Sequence, residues 1–313
     1  MNSFSSLFFH AAAAGKLSVL IFHRVLPVLD PLFPDEMHAQ RFDEVCGWLK
    51  SWFNVLPLDL AVAHMKAGTL PARAACITFD DGYVDNFHVA MPILQRHGFS
   101  ATFFIATGFL DGGRMWNDTI IETIRSSTAA ALDFSGLGLG QYPIVSIGEK
   151  RAAIFALIDQ VKYRSIEERI AITEKLVQVS GVKPPVDLMM TSQKVKAMHQ
   201  AGMQIGAHTV SHPILARLTD AQALQEIGAS KSYLEQLLGE PVGLFAYPNG
   251  KPGEDYSQQT VAVVRSLGFD AAVSTQWGAS RMGGDLLQIK RFTPWDQSRL
   301  RFGVRMLTNL RGG

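Results

Sequence analysis

The chain has 313 residues, of which 47% are hydrophobic and 18% are charged. This composition excludes a disordered chain, and the length is sufficient for one large domain or two small ones. The 29 basic residues nearly balance the 28 acidic ones and form no dense tract, so the charge pattern gives no support for nucleic-acid binding.

Two features bear on the compartment of the protein. Residues 4–15 are apolar and rich in alanine, but no basic segment precedes them and no stop-transfer pattern follows. We therefore interpret them as a terminal helix or loop, expect no membrane-spanning segment, and favour the cytoplasm over the periplasm. Cys46 and Cys76 lie in a helical and a strand pattern, where buried thiols are expected rather than a disulfide.

The first third of the chain alternates predicted strands with predicted helices. His23 follows the first strand, and glycines at 68 and 98 are typical helix ends. The predicted strands are 17–22, 53–56, 74–79 and 101–106. The predicted helices are 40–50, 59–66 and 83–97.

The alternation pauses between residues 108 and 185, which we interpret as an insertion on a β/α framework. Its glycines at 136, 138 and 140 have loop spacing rather than a phosphate-binding pattern, because no strand leads into them. One or two amphipathic helices are predicted within it, near 151–163 and 166–179.

The alternation then resumes, and Thr219 with Gln222 forms a capping-box pattern for a helix that ends at residue 238. The other predicted elements are helices 192–200, 256–267 and 298–310 and strands 203–207, 242–246, 271–274 and 286–289.

Regular alternation of strand and helix predicts an α/β fold, a parallel sheet wrapped by helices. Seven or eight mostly parallel strands would close it into a (β/α) barrel, which we expect to be one domain over residues 1–313 with an insertion at about 108–185. Function in such barrels gathers at the carboxyl ends of the strands. The residues predicted at those ends are His23, Asp80, Asp81, His208, Tyr247, Pro248, Asn249, Lys290 and Arg291.

The apolar run 74–79 stops at two adjacent carboxylates, Asp80 and Asp81, followed by Gly82. A buried strand of this kind delivers acidic side chains to the edge of a sheet or barrel. Neighbouring residues at a strand end point to opposite sides, so the two aspartates need not do the same job. The alternative is an ordinary Asp-Gly turn with Asp80 as a helix cap.

A second pattern places His208 and His212 four residues apart. Two such histidines converge on one metal if the backbone between them turns once, and a nearby carboxylate would complete an open metal site. Pro213 disfavours a helical conformation at His212, so a tight loop is predicted. The alternative is one capping and one packing histidine.

The stretch Thr78-Phe79-Asp80-Asp81-Gly82 and the stretch His208-Thr209-x-x-His212-Pro213 resemble the first two motifs of the polysaccharide deacetylases, also called the NodB-homology or carbohydrate esterase four family. The resemblance extends over about residues 17–295 outside the insertion. It implies a distorted (β/α) barrel, a divalent metal (usually zinc) and hydrolysis of N-acetyl groups on a glycan.

The resemblance also implies roles for individual residues. Asp80 would be the general base, and Asp81, His208 and His212 would hold the metal. The segment 245–250 resembles the third motif, which includes Tyr247 and Pro248. The backbone N–H after the proline, here that of Asn249, would donate to the oxyanion.

Two positions depart from the family pattern. Ala246 stands where many members carry an arginine that orients the base. Arg291 could reach the same place from another strand, or it could form a surface ion pair. The late strand lacks the histidine that often acts as general acid, which leaves His23 as the substitute; its alternative is a partly buried histidine bonded to the Pro27 loop.

The insertion follows a strand of the predicted barrel, so we expect it to form part of the rim of the substrate groove. Trp116, with Asn117 and Asp118, would be a stacking and hydrogen-bonding platform for sugar, and a core tryptophan is the alternative.

The expected activity is therefore metal-dependent release of acetate from an N-acetylated carbohydrate. The lack of a carbohydrate-binding module and of an export signal favours an intermediate of bacterial exopolysaccharide synthesis. One alternative is a non-catalytic glycan-binding relative, against which the intact Asp80 argues. Another is a glycosidase, but the adjacent Asp80 and Asp81 do not offer carboxylates about 5–10 Å apart across a bond.

Overall fold

The computed structural model describes residues 15–311. The apolar stretch 4–15 lies outside the described residues, except for Gly15. The described chain forms two compact units: one comprises residues 15–28, 37–110 and 190–311, and the other comprises residues 29–36 and 111–189. The second unit nearly coincides with the predicted insertion, and a single domain over the whole chain stays a prediction.

Strands and helices alternate along most of the described chain. In chain order the strands are β1 (Lys16–Phe22), β2 (Asn54–Val55), β3 (Ala74–Phe79), β4 (Thr102–Ile105), β5 (Ala131–Asp133), β6 (Gln141–Pro143), β7 (Gln204–Ala207), β8 (Leu244–Ala246), β9 (Ala271–Val273), β10 (Ser280–Arg281) and β11 (Arg291–Phe292). The α-helices are α1 (Ala39–Trp52), α2 (Leu58–Ala67), α3 (Met91–His97), α4 (Trp116–Ser126), α5 (Ile147–Lys162), α6 (Ile166–Ser180), α7 (Ser192–Gln200), α8 (Asp220–Leu238), α9 (Gln258–Ser266) and α10 (Arg299–Arg311).

The first unit contains a nearly closed parallel barrel. Its strands pair in the order β1, β3, β4, β7, β8 and β9, all parallel. Ile289 forms a parallel bridge with Val273 of β9, and two residues later β11 pairs in parallel with β1. The segment 289–292 therefore lies between β9 and β1 and completes a ring of seven strands, which confirms the predicted α/β barrel. Strand β2 adds to β3, and β10 pairs antiparallel with the start of β1.

Alternation along the strands separates two faces. Cys76 of β3, Phe104 of β4 and Ile289 belong to one buried cluster, whereas Ile77 and Phe79 belong to a larger cluster that includes residues of the surrounding helices. Because side chains alternate with a period of two, Asp80 continues the face of Cys76, and Arg291 continues that of Ile289. The sequence thus directs both residues to the same side of the barrel wall.

Several element boundaries follow directly from local sequence signals. Strand β3 has the predicted bounds, and α8 begins at the Thr219–Gln222 capping box and ends at Gly239, whose φ is +77°. The predicted helix 83–97 is interrupted by a π-helical turn at Asn86–Ala90. Pro92 explains the wider turn, since it has no N–H and its ring would collide with the carbonyl of an α-helix four residues earlier.

The prediction of a strand at 286–289 is wrong. Residues Leu286–Gln288 form a 3₁₀ turn, because the carboxylate of Asp285 accepts a hydrogen bond from the backbone N–H of Leu287 at 2.9 Å. The strand comes later, as β11, so Arg291 lies within a strand rather than beyond the end of one.

The second unit has its own apolar core, formed by helices α4, α5 and α6 with the β5–β6 hairpin. Helices α5 and α6 both begin at capping boxes, Ser146 with Glu149 and Ser165 with Glu168. Helix α4 and the hairpin were not predicted. Within residues 15–311, no helix combines the length and apolar character needed to cross a bilayer.

Trp116 opens helix α4 and packs as a half-buried side chain against the core of the second unit. The guanidinium carbon of Arg169 lies 5.3 Å from its ring centroid. Packing of this kind agrees with the core alternative, and a contact with sugar stays a prediction.

Candidate active site

Strand β3 carries its two aspartates to the carboxyl edge of the barrel. The backbone N–H of Asp80 donates to the carbonyl of Phe22, so the parallel pairing with β1 continues past the end of β3. Asp81 then adopts a φ of +75° and Gly82 a φ of +92°. Left-handed conformation at a non-glycine residue costs on the order of 1–3 kcal/mol and persists only where surrounding contacts enforce it. This sharp turn gives the two neighbouring carboxylates different surroundings.

Asp80 is paired with Arg291 inside the barrel wall. Each terminal nitrogen of Arg291 donates to one carboxylate oxygen at 2.7 Å, and its Nε donates to the carbonyl of Ser274 at 2.9 Å. The Thr78 hydroxyl oxygen accepts a further bond from Nη1 at 3.2 Å. Arg291 is fully buried and Asp80 is 3% exposed. The alternative of a surface ion pair is therefore wrong.

The pKa of Asp80 lies below its usual value. Burial alone would raise this pKa, but the charges of Arg291 and His208 and the hydrogen bonds of Arg291 outweigh that effect. Asp80 is therefore a carboxylate at neutral pH, with its orientation fixed by a two-point contact that no lysine could make.

His208 is held directly after β7. Its Nδ1 is 2.8 Å from the carbonyl oxygen of Ala246, so Nδ1 carries the proton and donates to it. This hydrogen bond leaves the lone pair of Nε2 available, and Nε2 lies 3.5 Å from Oδ1 of Asp81. The side chain of Ala246 offers no charge, but its carbonyl selects the tautomer of His208.

The backbone between the two histidines turns as predicted, without forming a helix. Thr209 has a φ of +66° and His212 a φ of +52°. The N–H of His212 donates to the Thr209 hydroxyl at 3.1 Å, and the N–H groups of Thr107 and Gly108 donate to the carbonyls of Thr209 and Val210. The turn brings the two imidazole centroids to 4.8 Å.

Asp81, His208 and His212 form a group that can hold a metal ion, with candidate ligand atoms all within 4.8 Å of one another. Oδ1 of Asp81 lies 3.5 Å from Nε2 of each histidine. This oxygen is buried and has no hydrogen-bond partner among the described residues. A buried carboxylate oxygen without a donor is costly, and a divalent cation between it and two imidazole nitrogens would satisfy it. The donor set therefore fits a metal such as zinc.

The protonation states of this group depend on its burial and its charges. Burial lowers the pKa of His212 to about 4, so its imidazole is neutral at pH 7. Burial also acts to lower the pKa of His208, but the charges of Asp80 and Asp81 raise it above its ordinary value. Burial would raise the pKa of Asp81, and the two histidines hold it below its usual range. The group therefore combines a carboxylate and a neutral imidazole with a second imidazole, that of His208, which would give up its proton to a bound cation.

The turn after β8 presents backbone groups, rather than charged side chains, at the carboxyl edge of the barrel. Asn249 has a φ of +58°, and its carbonyl accepts a hydrogen bond from the Thr275 hydroxyl at 2.7 Å. Gly250 has no room for a side chain, since a Cβ there would lie 2.9 Å from the backbone nitrogen of Thr275. The buried Pro248 lies between Tyr247 and Asn249 in this turn.

The side chain of Tyr247 packs in the core, and a substrate contact by this residue stays a prediction. The residue is fully buried, its ring stacks on that of Tyr256 with centroids 3.8 Å apart, and its hydroxyl donates to the carbonyl of Leu287 at 2.9 Å. Tyr247 thus anchors the turn to the core.

His23 directly follows β1, at the carboxyl edge of the barrel. Its backbone carbonyl accepts a hydrogen bond from the Asn86 side chain at 2.9 Å. The residue is exposed, so the alternative of a partly buried histidine does not hold. A role as general acid stays a prediction.

A buried Asp–Arg pair beside an Asp–His–His group, at the carboxyl edge of a parallel barrel, is an arrangement suited to a hydrolase. Comparisons with known proteins narrow this class. The family model described as polysaccharide deacetylase matches residues 67–129 and 149–272, more than half of the chain. The chain therefore belongs to the polysaccharide deacetylase family, whose members are hydrolases that remove acetyl groups from glycans.

Individual relatives are distant in sequence. YxkH of Bacillus subtilis (strain 168), a candidate polysaccharide deacetylase by name, is 21% identical over 268 residues, which cover 85% of this chain and 67% of YxkH. The Streptococcus pyogenes deacetylase PplD, solved in complex with acetate, is 20% identical with a TM-score of 0.62, covering 94% of this chain and 98% of PplD. IcaB from Ammonifex degensii is 17% identical with a TM-score of 0.63, covering 94% of this chain and 97% of IcaB. PplD and IcaB therefore share the fold of this chain.

Proposed function

We propose that the protein is a metal-dependent N-deacetylase that releases acetate from an amino-sugar-containing glycan or glycan intermediate. The convergence of Asp81, His208 and His212 on one point, next to the Asp80–Arg291 pair, is the observation that carries this proposal. We propose zinc as the metal and an intermediate of bacterial exopolysaccharide synthesis as the substrate. The cytoplasm remains our favoured compartment.

Each residue of the site has a distinct task in this reaction. A divalent ion held by Asp81, His208 and His212 would polarise the acetyl carbonyl and lower the pKa of a water molecule. Asp80 is the general base. Each of its oxygens accepts one bond from Arg291, and a carboxylate oxygen has a second lone pair with which it can accept the proton of water.

Two further groups serve the later stages of hydrolysis. The backbone N–H of Asn249 donates to the oxyanion, a contribution that does not depend on the side chain. His23 protonates the leaving amine, since it lies at the carboxyl edge of the barrel and an imidazole is the side chain most often used as a general acid.

Metal binding and acetate release should depend on the same three residues. We expect the purified protein to bind about one divalent ion and to release acetate from at least one of a panel of N-acetylated oligosaccharides and lipid-linked intermediates. Chelator should abolish the release, and His208→Ala or His212→Ala should strongly weaken metal binding, because each removes one of three ligands. Plasma mass spectrometry and an acetate assay on the same preparations measure both quantities.

His64→Ala is the matched control, because His64 lies on α2 and its Nδ1 is hydrogen-bonded to the Thr69 hydroxyl, at 2.9 Å. Unchanged metal content in both active-site variants would contradict the ligand assignment. Bound metal without acetate release from any substrate would favour a glycan-binding relative that lacks activity.

The general-acid role of His23 predicts a separate effect. His23→Ala should keep the metal content and lower kcat by roughly 10²–10⁴, because the amine would leave without its proton donor. The basic limb of the pH–rate profile should flatten, since that limb reports loss of the acidic proton. His88→Ala, another exposed histidine, is the control. A His23→Ala variant with wild-type kcat and an unchanged pH–rate profile would show that water, not His23, protonates the leaving amine.

A further inference from the structure

Glu226 of helix α8 contacts the loop that joins His208 to His212. Its Oε2 accepts hydrogen bonds from the backbone N–H groups of Val210 and Ser211, both at 2.9 Å. Its Oε1 accepts a third bond from the Ser211 hydroxyl at 2.7 Å. All three donors belong to the two residues midway between the histidines.

This loop needs an external partner for its backbone. Positive φ at Thr209 and at His212 is unfavourable by on the order of 1–3 kcal/mol each. The turn points two consecutive N–H groups in one direction, and such a pair forms a small anion-binding concavity. The Glu226 carboxylate occupies that concavity, and charge-assisted bonds of this kind are stronger than bonds between neutral groups.

The two histidines differ in how they are held. His208 directly follows β7, is 1% exposed and is bonded to the carbonyl of Ala246. His212 lies at the far end of the loop, and its side chain is 15% exposed. The position of its imidazole therefore depends on the conformation of residues 209–211.

We propose that Glu226 is a positioning residue for the metal group: it fixes the loop so that Nε2 of His212 meets Oδ1 of Asp81 and Nε2 of His208. This inference rests on the proposed metal-dependent function. Glu226 contacts neither substrate nor metal and acts through the backbone between the two ligands.

The experiment compares Glu226→Ala with Glu226→Gln and uses Co²⁺ as the probe. Affinity is measured by competition with a chelator, and ligand geometry is measured from the visible absorption of bound Co²⁺. Glu226→Ala should weaken Co²⁺ binding by about 10–100-fold, the usual effect of removing an outer partner of the ligands, and should alter the spectrum. Glu226→Gln should largely keep the wild-type affinity and spectrum. Its amide oxygen can accept the two backbone N–H bonds, and its amide NH₂ group can donate to the Ser211 hydroxyl.

Glu235→Ala is the matched control on the same helix. Glu235 also accepts a backbone N–H, that of Val242 at 3.1 Å, and it forms an ion pair with Lys231 of the same helix at 2.9 Å. These contacts hold it at the end of α8 rather than against the histidine loop, so Glu235→Ala should leave Co²⁺ affinity and spectrum unchanged. If Glu226→Ala does not fold, Glu226→Asp, whose carboxylate is one methylene short of the loop, takes its place in the comparison.

The outcomes separate this inference from the proposed function. Wild-type affinity and spectrum in the Glu226 variant, with binding lost in His212→Ala, would overturn the positioning role and leave the metal site intact. An equal loss in the Ala and Gln variants would also overturn it, since the hydrogen-bonding geometry would then not matter. Failure of the wild-type protein to bind Co²⁺ would overturn both.

Discussion

Asp80→Asn is expected to keep one divalent ion bound while kcat falls by roughly 10²–10⁴, the usual loss for a general base. An amide cannot take the proton of water, and Asp80 lies outside the Asp81–His208–His212 group. Asp81→Asn should instead lose metal and activity together, because it neutralises the carboxylate that faces both imidazoles. Metal content and acetate release, measured on the same preparations, distinguish the two variants.

Asp270→Asn provides a control for the general effect of removing a carboxylate, since Asp270 forms an exposed ion pair with Lys66. Circular dichroism verifies that each variant is folded at the assay temperature. Equal metal loss in Asp80→Asn and Asp81→Asn would contradict the division of roles.

Arg291→Met should have the largest effect on stability. Removing one partner of a buried ion pair leaves the other charge uncompensated and typically costs about 3–5 kcal/mol of unfolding free energy. Here the remaining group would be the carboxylate of Asp80, 3% exposed and stripped of two hydrogen bonds. Activity should fall as well, because nothing would then orient the base. Urea unfolding measures the free energy.

The double variant Asp80→Asn/Arg291→Met tests whether the loss comes from the unpaired charge. It should recover much of the stability of Arg291→Met without recovering activity, and the double-mutant cycle gives the interaction energy. Additive losses would show that the pair is not coupled.

The dependence on pH has a definite sign. In the wild type the pKa of Asp80 is depressed, so its stabilisation is present above the unfolded pKa near ~3.9 and is lost as pH falls through the folded pKa. In Arg291→Met the charge and hydrogen bonds of Arg291 no longer oppose the effect of burial, so the pKa of Asp80 rises relative to the wild type and its protonation at a less acidic pH removes the charge. The stability difference between the two proteins should therefore shrink as the pH is lowered.

The sequence predicted the parts of this site that local signals encode. An apolar run that stops at Asp80 and Asp81 indicates a strand end. Pro213 after His212 indicates that the two histidines lie on a loop. The aspartate pair and the histidine pair could therefore each be assigned to a local structure independently. That the aspartates and the histidines lie close together was predicted from the family motifs and from the fact that parallel strands of a barrel end at the same edge.

The remaining parts depend on long-range contacts. Arg291 reaches Asp80, 211 positions away, through the closing segment of the barrel. The preceding residues have the apolar pattern of a strand, but the cap at Asp285 directs them into a 3₁₀ turn. Glu226 resembles any polar residue on a helix until its distance to the histidine loop is known. Thr78 was detectable from the sequence, because it is a polar residue on the otherwise apolar face of β3 that carries Cys76.

The ring of strands is completed by a short segment, with one bridge at Ile289 and two paired residues in β11. Arg291 is part of that segment, whereas the metal group belongs to β3 and β7 on the other side of β1. Amide hydrogen exchange in proteins reflects local openings that cost less than global unfolding, and short pairings open most easily. A partial opening here would release the arginine from Asp80 while Asp81, His208 and His212 stay together. With the proposed metal bound, the enzyme would then pass through a folded, metal-loaded and inactive state, and we expect heat inactivation to precede loss of the metal.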